Sequence, residues 1–184
     1  MNEAVLETPR LILRKPAEGD AGLQFRVLNT PAVMAHIGGV KTLAEIEERH
    51  ARIAASFARD EFGFLMMIEK SGELVGYCGL KRVDSPLARN VGDHEMGWLV
   101  REDRWRRGYA EEAMRAVLGW AFGPVGAPRV VALTSPANEP SWRLMEKLGM
   151  ERRRDLDFDD PDFPPEDNPT ILYSLTAAQW QAAR

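Results

Sequence analysis

The sequence has a single cysteine, Cys78, and no apolar run that approaches the roughly 20 residues needed to span a bilayer. One cysteine excludes an internal disulfide and fits a reducing cytoplasm, where we expect the protein to reside. The N-terminus lacks a basic segment followed by an apolar one, so we expect neither a signal peptide nor membrane association. Cys78 lies in an apolar run without a basic neighbour, which indicates a buried side chain rather than a nucleophile.

The sequence also lacks an excess of positive charge. Lys and Arg number 24 and Asp and Glu number 28, a net charge of −4, so affinity for bulk nucleic acid is not expected. Hydrophobic residues make up 45% and charged residues 28%, an ordinary balance for a globular protein. The 184 residues contain no internal repeat and no linker. We therefore predict one domain over residues 1–184.

Hydrophobic periodicity and turn residues predict a mixture of strands and helices. The predicted strands are residues 8–14, 63–69, 74–80, 91–100, 129–134, 151–158 and 170–175. The predicted helices are residues 17–29, 42–58, 109–122, 139–148 and 177–183. Thr42, Asn138 and Thr176 stand where side chains can cap three of these helices. This pattern favours an α/β or α+β fold, in which helices pack on a sheet.

Residues 95–113 predict a strand, a short basic turn and a helix. Arg106, Arg107 and Gly108 lie where the helix begins, and a helix N-terminus offers unpaired N–H groups and a positive dipole end. Gly108 allows a ligand to approach the backbone closely. The stretch could hold a phosphate group, or it could be an ordinary strand–turn–helix connection with solvated arginines.

The pattern Trp105-x-x-Gly108-x-Ala110 follows Glu95-x-Gly97-Trp98 and precedes Glu112-Ala113. It resembles the acetyl-CoA loop of the GNAT N-acetyltransferase superfamily. The usual loop begins with Gln or Arg, and Trp105 at that position is similar to the branch of the ribosomal-protein N-terminal acetyltransferases. Three further runs resemble GNAT segments, so the resemblance covers nearly the whole chain: T-x-R-L-x-L-R at 8–14, E-L-V-G-x-x-G-L at 73–80, and N-x-x-S with E-K-L-G-M at 138–150.

The resemblance implies a mostly antiparallel sheet of six to seven strands with helices on both faces. Strands 92–100 and 129–134 would run parallel and splay apart, and the co-substrate would enter the gap between them. The implied activity is transfer of acetyl from acetyl-CoA to a primary amine, either a small molecule or a protein N-terminus, by direct attack in a ternary complex without a metal. A non-catalytic acyl-CoA-binding sensor or scaffold is the alternative. A homodimer is compatible with the resemblance.

The resemblance also implies roles for individual residues. The CoA pyrophosphate would bind backbone N–H groups of Arg106, Arg107, Gly108, Tyr109 and Ala110. The pantetheine arm would pair with the backbone of Leu99 and Val100 and with the Asn138 side chain. An N–H near a strand bulge would stabilise the oxyanion, and Ser141 would donate or relay a proton near the sulfur. Asn138 could instead be only a helix cap, and Ser141 only a residue of the first turn.

Glu95 is the candidate general base. An amine with a pKa near the Lys value of ~10.4 is almost entirely protonated at neutral pH, so some group must accept its proton. Burial would raise the pKa of Glu95 toward that task. A strand-edge carboxylate in an ion pair is the alternative interpretation. His94 is a second candidate, although alternation along the strand directs it to the opposite face.

Residues 155–167, the acidic segment, contain seven carboxylates and no Lys or Arg. Similar runs precede the last strand in one group of GNAT enzymes, where the loop lies near the acceptor entrance. The segment could attract a basic acceptor, or it could be a solvated loop.

Overall fold

A computed structural model describes residues 4–183. The strands are β1 (Ala4–Glu7), β2 (Leu11–Arg14), β3 (Phe64–Glu69), β4 (Leu74–Arg82), β5 (His94–Val100), β6 (Arg129–Thr134), β7 (Glu151–Arg152) and β8 (Ile171–Thr176). The helices are α1 (Asp20–Leu28), α2 (Pro31–Met34), α3 (Leu43–Asp60), α4 (Tyr109–Phe122), α5 (Glu139–Lys147) and α6 (Ala177–Ala182). None of these helices is long and apolar enough to cross a membrane.

The strands form a single sheet in the order β1-β2-β3-β4-β5-β6-β8-β7. Every neighbouring pair is antiparallel except β5 and β6, which run parallel. The mostly antiparallel sheet and the parallel central pair confirm the predicted fold class. The sheet has eight strands rather than six or seven, because β1 adds a hairpin partner to β2.

Three predicted strands are shorter than expected: the one predicted from residue 91 begins at His94, and the other two are shortened by local contacts. The strand predicted from Thr8 begins at Leu11, because the Thr8 side chain accepts a hydrogen bond from the Leu11 N–H and closes a turn. The strand predicted over residues 151–158 ends at Arg152. There Arg152 and Arg153 bind Asp157 and Asp155 at 2.6–2.9 Å and fold the chain back.

Helices cover both faces of the sheet. On the face that carries Glu95, called the Glu95 face, Leu28 of α1 packs with Met66 and Tyr77. On the opposite face, Ala113 and Met114 of α4 pack in the main core. The alternation predicted for β5 is confirmed, since its residues divide between these two clusters.

The capping predictions have different outcomes. Thr42 and Thr176 form capping boxes with Glu45 and Gln179, as predicted. Asn138 is the N-cap residue of α5, but its side chain makes no capping hydrogen bond. The prediction that this amide caps α5 is therefore wrong.

Close packing between β4 and β5 generates a stability prediction. A Cβ at Gly76 would lie 2.0 Å from the Leu99 carbonyl oxygen, whereas one at Gly119 in α4 would meet nothing within 4 Å. Gly76→Ala should therefore lower the free energy of unfolding by about 1–3 kcal/mol, because overpacking forces the backbones apart. Gly119→Ala, the matched control, should raise it by up to about 1 kcal/mol through helix propensity. Urea denaturation measures both, and equal stability of Gly76→Ala and the wild type would contradict the close approach.

Candidate active site

The parallel pairing of β5 and β6 is very short. It consists of His94 with Val130 and Glu95 with Val131, and β5 then continues to Val100 without a partner on that side. The open gap is the space between the two strands beyond Glu95 and Val131. Because the strands are parallel, the N-termini of α4 and α5, which follow them, lie at the same edge, where the gap is widest. The predicted splayed pair is therefore present.

The register of β5 determines which of its backbone groups face the gap. Val83 N–H donates to Asp93 C=O and Arg101 N–H donates to Val75 C=O, each at 2.8–2.9 Å, and the pairing between them is regular. Every second residue, Leu99 included, therefore directs its N–H and C=O toward β4. The backbone N–H and C=O groups of Trp98 and Val100 face the gap.

This register corrects two expectations. Of the two residues whose backbone was predicted to pair with pantetheine, Val100 offers its backbone to the gap, but Leu99 does not. The bulge expected near the oxyanion donor does not lie within β5, because β4 and β5 pair without a shift of register from His94 to Val100. The Val100 C=O already accepts the Trp105 indole N–H at 2.7 Å. The backbone N–H of Val100 remains available.

The turn between β5 and α4 is anchored on both sides. Arg104 pairs with Glu73, and Trp105 is tied to Val100. Across the turn, Arg10 donates to the Arg107 carbonyl at 2.9 Å and to Glu112 at 2.6 Å. These contacts fix the start of α4 against two hairpins.

Arg106 and Gly108 both have left-handed backbone conformations, with φ of 57° and 78°. A left-handed non-glycine residue costs energy and is frequent at functional sites. Across the described chain, the backbone N–H groups from Arg106 to Glu111 have no hydrogen-bond acceptor. The Arg106 and Arg107 side chains are exposed and form no ion pair with a described residue. The predicted residues therefore form a cradle suited to an anion.

Nearby side chains leave this cradle positively charged. Glu111 pairs with Lys147 at 2.5 Å and with Arg115 at 3.0 Å, and Glu112 pairs with Arg10. The Tyr109 hydroxyl donates to Glu69, so the Tyr109 side chain is structural and only its N–H is available. The carboxylates of the first turn are thus neutralised from within the protein.

At the same edge, Asn138 and Ser141 lie at the N-terminus of α5. Both are half-buried, and neither side chain hydrogen-bonds to any residue between 4 and 183. The two residues are joined by a backbone hydrogen bond, in which the Asn138 carbonyl accepts the Ser141 N–H at 3.1 Å. The side-chain amide of Asn138 and the hydroxyl of Ser141 stay free for a ligand. Asn138 is therefore not a side-chain cap, and the alternative interpretation fails for that residue.

Glu95 lies at the closed end of the gap, in the last pair that joins β5 to β6. Its side chain is 16% exposed, and one oxygen lies 3.3 Å from the Lys81 ammonium, which also contacts Asp84 at 2.8 Å. Burial raises the pKa of Glu95, and Lys81 opposes that rise without cancelling it. Features of both interpretations are present: a raised pKa, which suits a base, and an ion pair.

His94 and Cys78 lie elsewhere. The His94 ring packs 5.3 Å from the Phe62 ring on the opposite face, and burial together with Arg82 lowers its pKa. His94 therefore cannot share a substrate directly with Glu95. Cys78 is fully buried, and burial raises its thiol pKa, as expected for a structural cysteine.

The acidic segment is partly neutralised by the protein itself. Asp155 and Asp157 bind Arg153 and Arg152, and buried Asp167 binds His36 at 2.8 Å. The other carboxylates have no ion pair with a described residue, namely Asp159, Asp160, Asp162 and Glu166. The segment is thus in part a structural element, which the sequence pattern did not reveal.

Lys81 and Arg49 lie on the Glu95 face and were missed in the sequence. Lys81 is opposite Glu95 in the β4–β5 register, so correct strand pairing would have identified it. Arg49 lies over the Tyr77 ring at 5.3 Å, and no short-range pattern links α3 to that strand.

The raised pKa of Glu95 predicts a stability effect. Burial disfavours the ionised form of Glu95 in the folded state. The free energy of unfolding is therefore highest below the unfolded pKa of Glu95, where the carboxyl is protonated in both states, and it falls as pH rises through the folded pKa. Glu95→Gln should therefore raise Tm at neutral pH and have little effect near pH 4. Lys81 keeps Asp84 as a partner in this variant.

Glu48→Gln, which alters an exposed carboxylate, serves as the control and should change Tm little at either pH. Thermal unfolding followed by circular dichroism measures both variants. A lower Tm of Glu95→Gln at neutral pH would mean that the ion pair with Lys81 outweighs the cost of burial.

Comparison with known proteins identifies the family. Residues 10–151 match the profile of the acetyltransferase (GNAT) domain. The uncharacterized N-acetyltransferase YoaA of Bacillus subtilis (strain 168) is 30% identical over 152 residues, which cover 80% of this chain and 83% of YoaA. The crystal structure of an acetyltransferase from Agrobacterium tumefaciens str. C58 is 28% identical, with a TM-score of 0.75 over 95% of both chains.

A second solved structure is that of the aminoglycoside acetyltransferase AAC(6')-Ib in complex with coenzyme A. It is 20% identical, with a TM-score of 0.76 over 95% of this chain and 99% of that chain, and this likeness concerns the fold alone. The ribosomal-protein branch stays a prediction. The match of the domain profile to most of the chain, together with YoaA, shows that this chain belongs to the GNAT family of acetyltransferases.

Proposed function

We propose that the protein transfers the acetyl group of acetyl-CoA to a primary amine bound on the Glu95 face, in one ternary complex. The observation that carries this proposal is the open gap itself. It has a cradle of unbonded N–H groups at its wide edge and a carboxylate with a raised pKa at its closed end. The acceptor is either a small molecule or a protein N-terminus.

Acetyl-CoA would bind along β5. Its pyrophosphate would accept hydrogen bonds from the N–H groups of residues 106–110, and Arg106 and Arg107 would add charge. From Val100 to Glu95 is five residues, or roughly 17 Å of strand, which an extended pantetheine arm would follow. The gap-facing N–H groups of Trp98 and Val100 would bind its carbonyls or the thioester oxygen, and Asn138 would hold the arm. AAC(6')-Ib, which shares the fold, is solved with coenzyme A.

The transfer would exchange one bond for another. The nitrogen lone pair of the amine attacks the thioester carbon, a C–N bond forms, and the C–S bond breaks as the thiolate leaves. Glu95 would take one ammonium proton, directly or through water, which frees the lone pair for attack. The nitrogen loses a second proton as the tetrahedral intermediate collapses, and this proton would reach the thiolate sulfur, to which Ser141 would donate a hydrogen bond or relay the proton. No metal enters this scheme.

A non-catalytic acyl-CoA-binding module is the alternative. It needs the cradle at residues 106–110 but not Glu95 or Ser141. The pKa of Glu95 and the unbonded Ser141 hydroxyl favour catalysis, since a pure binding module gains nothing from either. Release of CoA that depends on an added amine distinguishes the two functions.

Acetyl-CoA should stabilise the fold, and Gly108→Trp should abolish this stabilisation because the indole would fill the space of the pyrophosphate. At ~100 times its dissociation constant the ligand adds about 2.7 kcal/mol. Gly126→Trp is the matched control, because Gly126 also has a positive φ and open surroundings but lies outside the cradle. Thermal shift assays with and without acetyl-CoA test this. An unchanged wild-type Tm at saturating acetyl-CoA would exclude the co-substrate.

Glu95→Gln should lower kcat by roughly 10²–10⁴ while the affinity for acetyl-CoA stays unchanged, because the amide keeps the shape but cannot accept the proton. The loss should shrink at high pH, where more of the amine is already neutral. The pH–rate profiles of both proteins with one accepted amine measure this. Full activity of Glu95→Gln between pH 6 and 9 would make Glu95 a structural residue.

A further inference from the structure

Arg49 of α3 is the exception among the half-buried arginines that the structure describes. Each of the others has a carboxylate oxygen within 4 Å: Arg10, Arg14, Arg82, Arg101, Arg104, Arg129, Arg152 and Arg153. Arg49 forms neither an ion pair nor a hydrogen bond with a described residue, and its guanidinium lies 5.3 Å over the Tyr77 ring. Its five N–H donors are therefore available.

A partly buried cation without a counterion is costly, and an aromatic ring compensates only part of that cost. The ring also leaves the edge of the guanidinium free, and this planar edge matches the two oxygens of a carboxylate. The environment of Arg49 is therefore suited to an anionic ligand.

Arg49 also lies on the face of the sheet that carries Glu95. Tyr77, beneath its guanidinium, pairs with Leu99 on the Glu95 face. Burial has the largest effect on the pKa of Glu95, and Lys81 and then Arg49 oppose the resulting rise. The guanidinium is thus within electrostatic reach of the Glu95 carboxylate.

A cavity of about 330 Å³ adjoins Arg49 between α1, α3 and the segment that joins them. Its lining is mixed: Leu28, Met34, Ile37 and Ile46 are apolar, and the other lining residues are polar or charged. The charged groups around it have other contacts: Lys41 donates to the Gly38 carbonyl, Glu45 belongs to the α3 capping box, and Arg52 faces Glu48. A cavity of this size suits a small molecule.

We propose that Arg49 binds a carboxylate of the acceptor, so that the acceptor is a small primary amine that carries a carboxylate, such as an amino acid. The inference rests on the proposed acetyl transfer. In this arrangement the amine of the acceptor lies at Glu95, and its carboxylate forms two parallel hydrogen bonds with the Arg49 guanidinium.

The charges on this face disfavour a polycationic acceptor. Arg49 and Lys81 would repel it, and the carboxylates of the acidic segment that form no ion pair with a described residue, Asp159, Asp160, Asp162 and Glu166, do not line the cavity beside Arg49. A zwitterion meets a favourable charge at both ends.

The test measures kcat/KM for CoA release with small amino acids and with their amides, in the wild type, Arg49→Met and Arg59→Met. The acid and the amide have different amine pKa values. This difference affects every protein equally, so it drops out when the acid-to-amide ratio of kcat/KM is compared between proteins. Arg49→Met should lower this ratio about ten- to a hundredfold, mainly through KM, as expected for loss of a charged hydrogen-bonded pair. Arg59→Met should leave it unchanged, because Arg59 lies on the same helix but is exposed and does not line the cavity. Arg49→Lys should keep part of the preference.

The inference is overturned if the wild type shows no preference for acids or if Arg49→Met keeps the wild-type ratio. Acetyl-CoA-dependent acetylation of amides or polyamines alone would overturn the inference and leave the acetyl transfer standing. No CoA release with any amine would overturn both. Stabilisation of all variants by acetyl-CoA shows that they are folded and that the co-substrate site is intact.

Discussion

The parallel pairing between β5 and β6 ends after Glu95 and Val131, and the arrangement of the site depends on that separation. A fully paired sheet would use the β5 backbone groups internally, because buried N–H and C=O groups need partners. Here the N–H groups of Trp98 and Val100 face the gap. The same parallel direction brings the N-termini of α4 and α5 to one edge, so the anion cradle and the Asn138–Ser141 pair lie at the opening.

Much of the remaining structure holds this opening in shape. Arg10 connects the first hairpin to the turn before α4, and Arg104 connects the same turn to the β3–β4 hairpin. The conformational entropy of this turn is lost when the protein folds, before any ligand binds. The site for the proposed phosphate is therefore preformed. Charge is also separated along the gap, with the cations Arg106 and Arg107 at the wide edge and a partly neutralised carboxylate at the closed end.

The Glu95 face combines two demands that oppose one another. Burial makes the Glu95 carboxylate more basic, while Lys81 and Arg49 favour its ionised form. Lys81 also contacts the exposed Asp84. Glu95 could therefore exchange its contact with Lys81 for one with the ammonium of the proposed acceptor, and Lys81 would keep Asp84 as a partner. Functional sites often contain such compromises between stability and reactivity.

The sequence by itself determined most of the helices and strands and the loop at residues 105–110. Periodicity, Thr42 with Glu45, and the residues around Gly108 are local signals, so strands, helices and the anion cradle could be read from neighbouring residues. Only the tertiary structure decided what depends on register and distant contacts. It commits the Leu99 backbone to β4, leaves the Asn138 amide free, pairs Lys81 with Glu95, and leaves Arg49 without a carboxylate. These features join residues far apart in the chain, and the energy that selects them comes from the packed sheet and its helices rather than from local propensity.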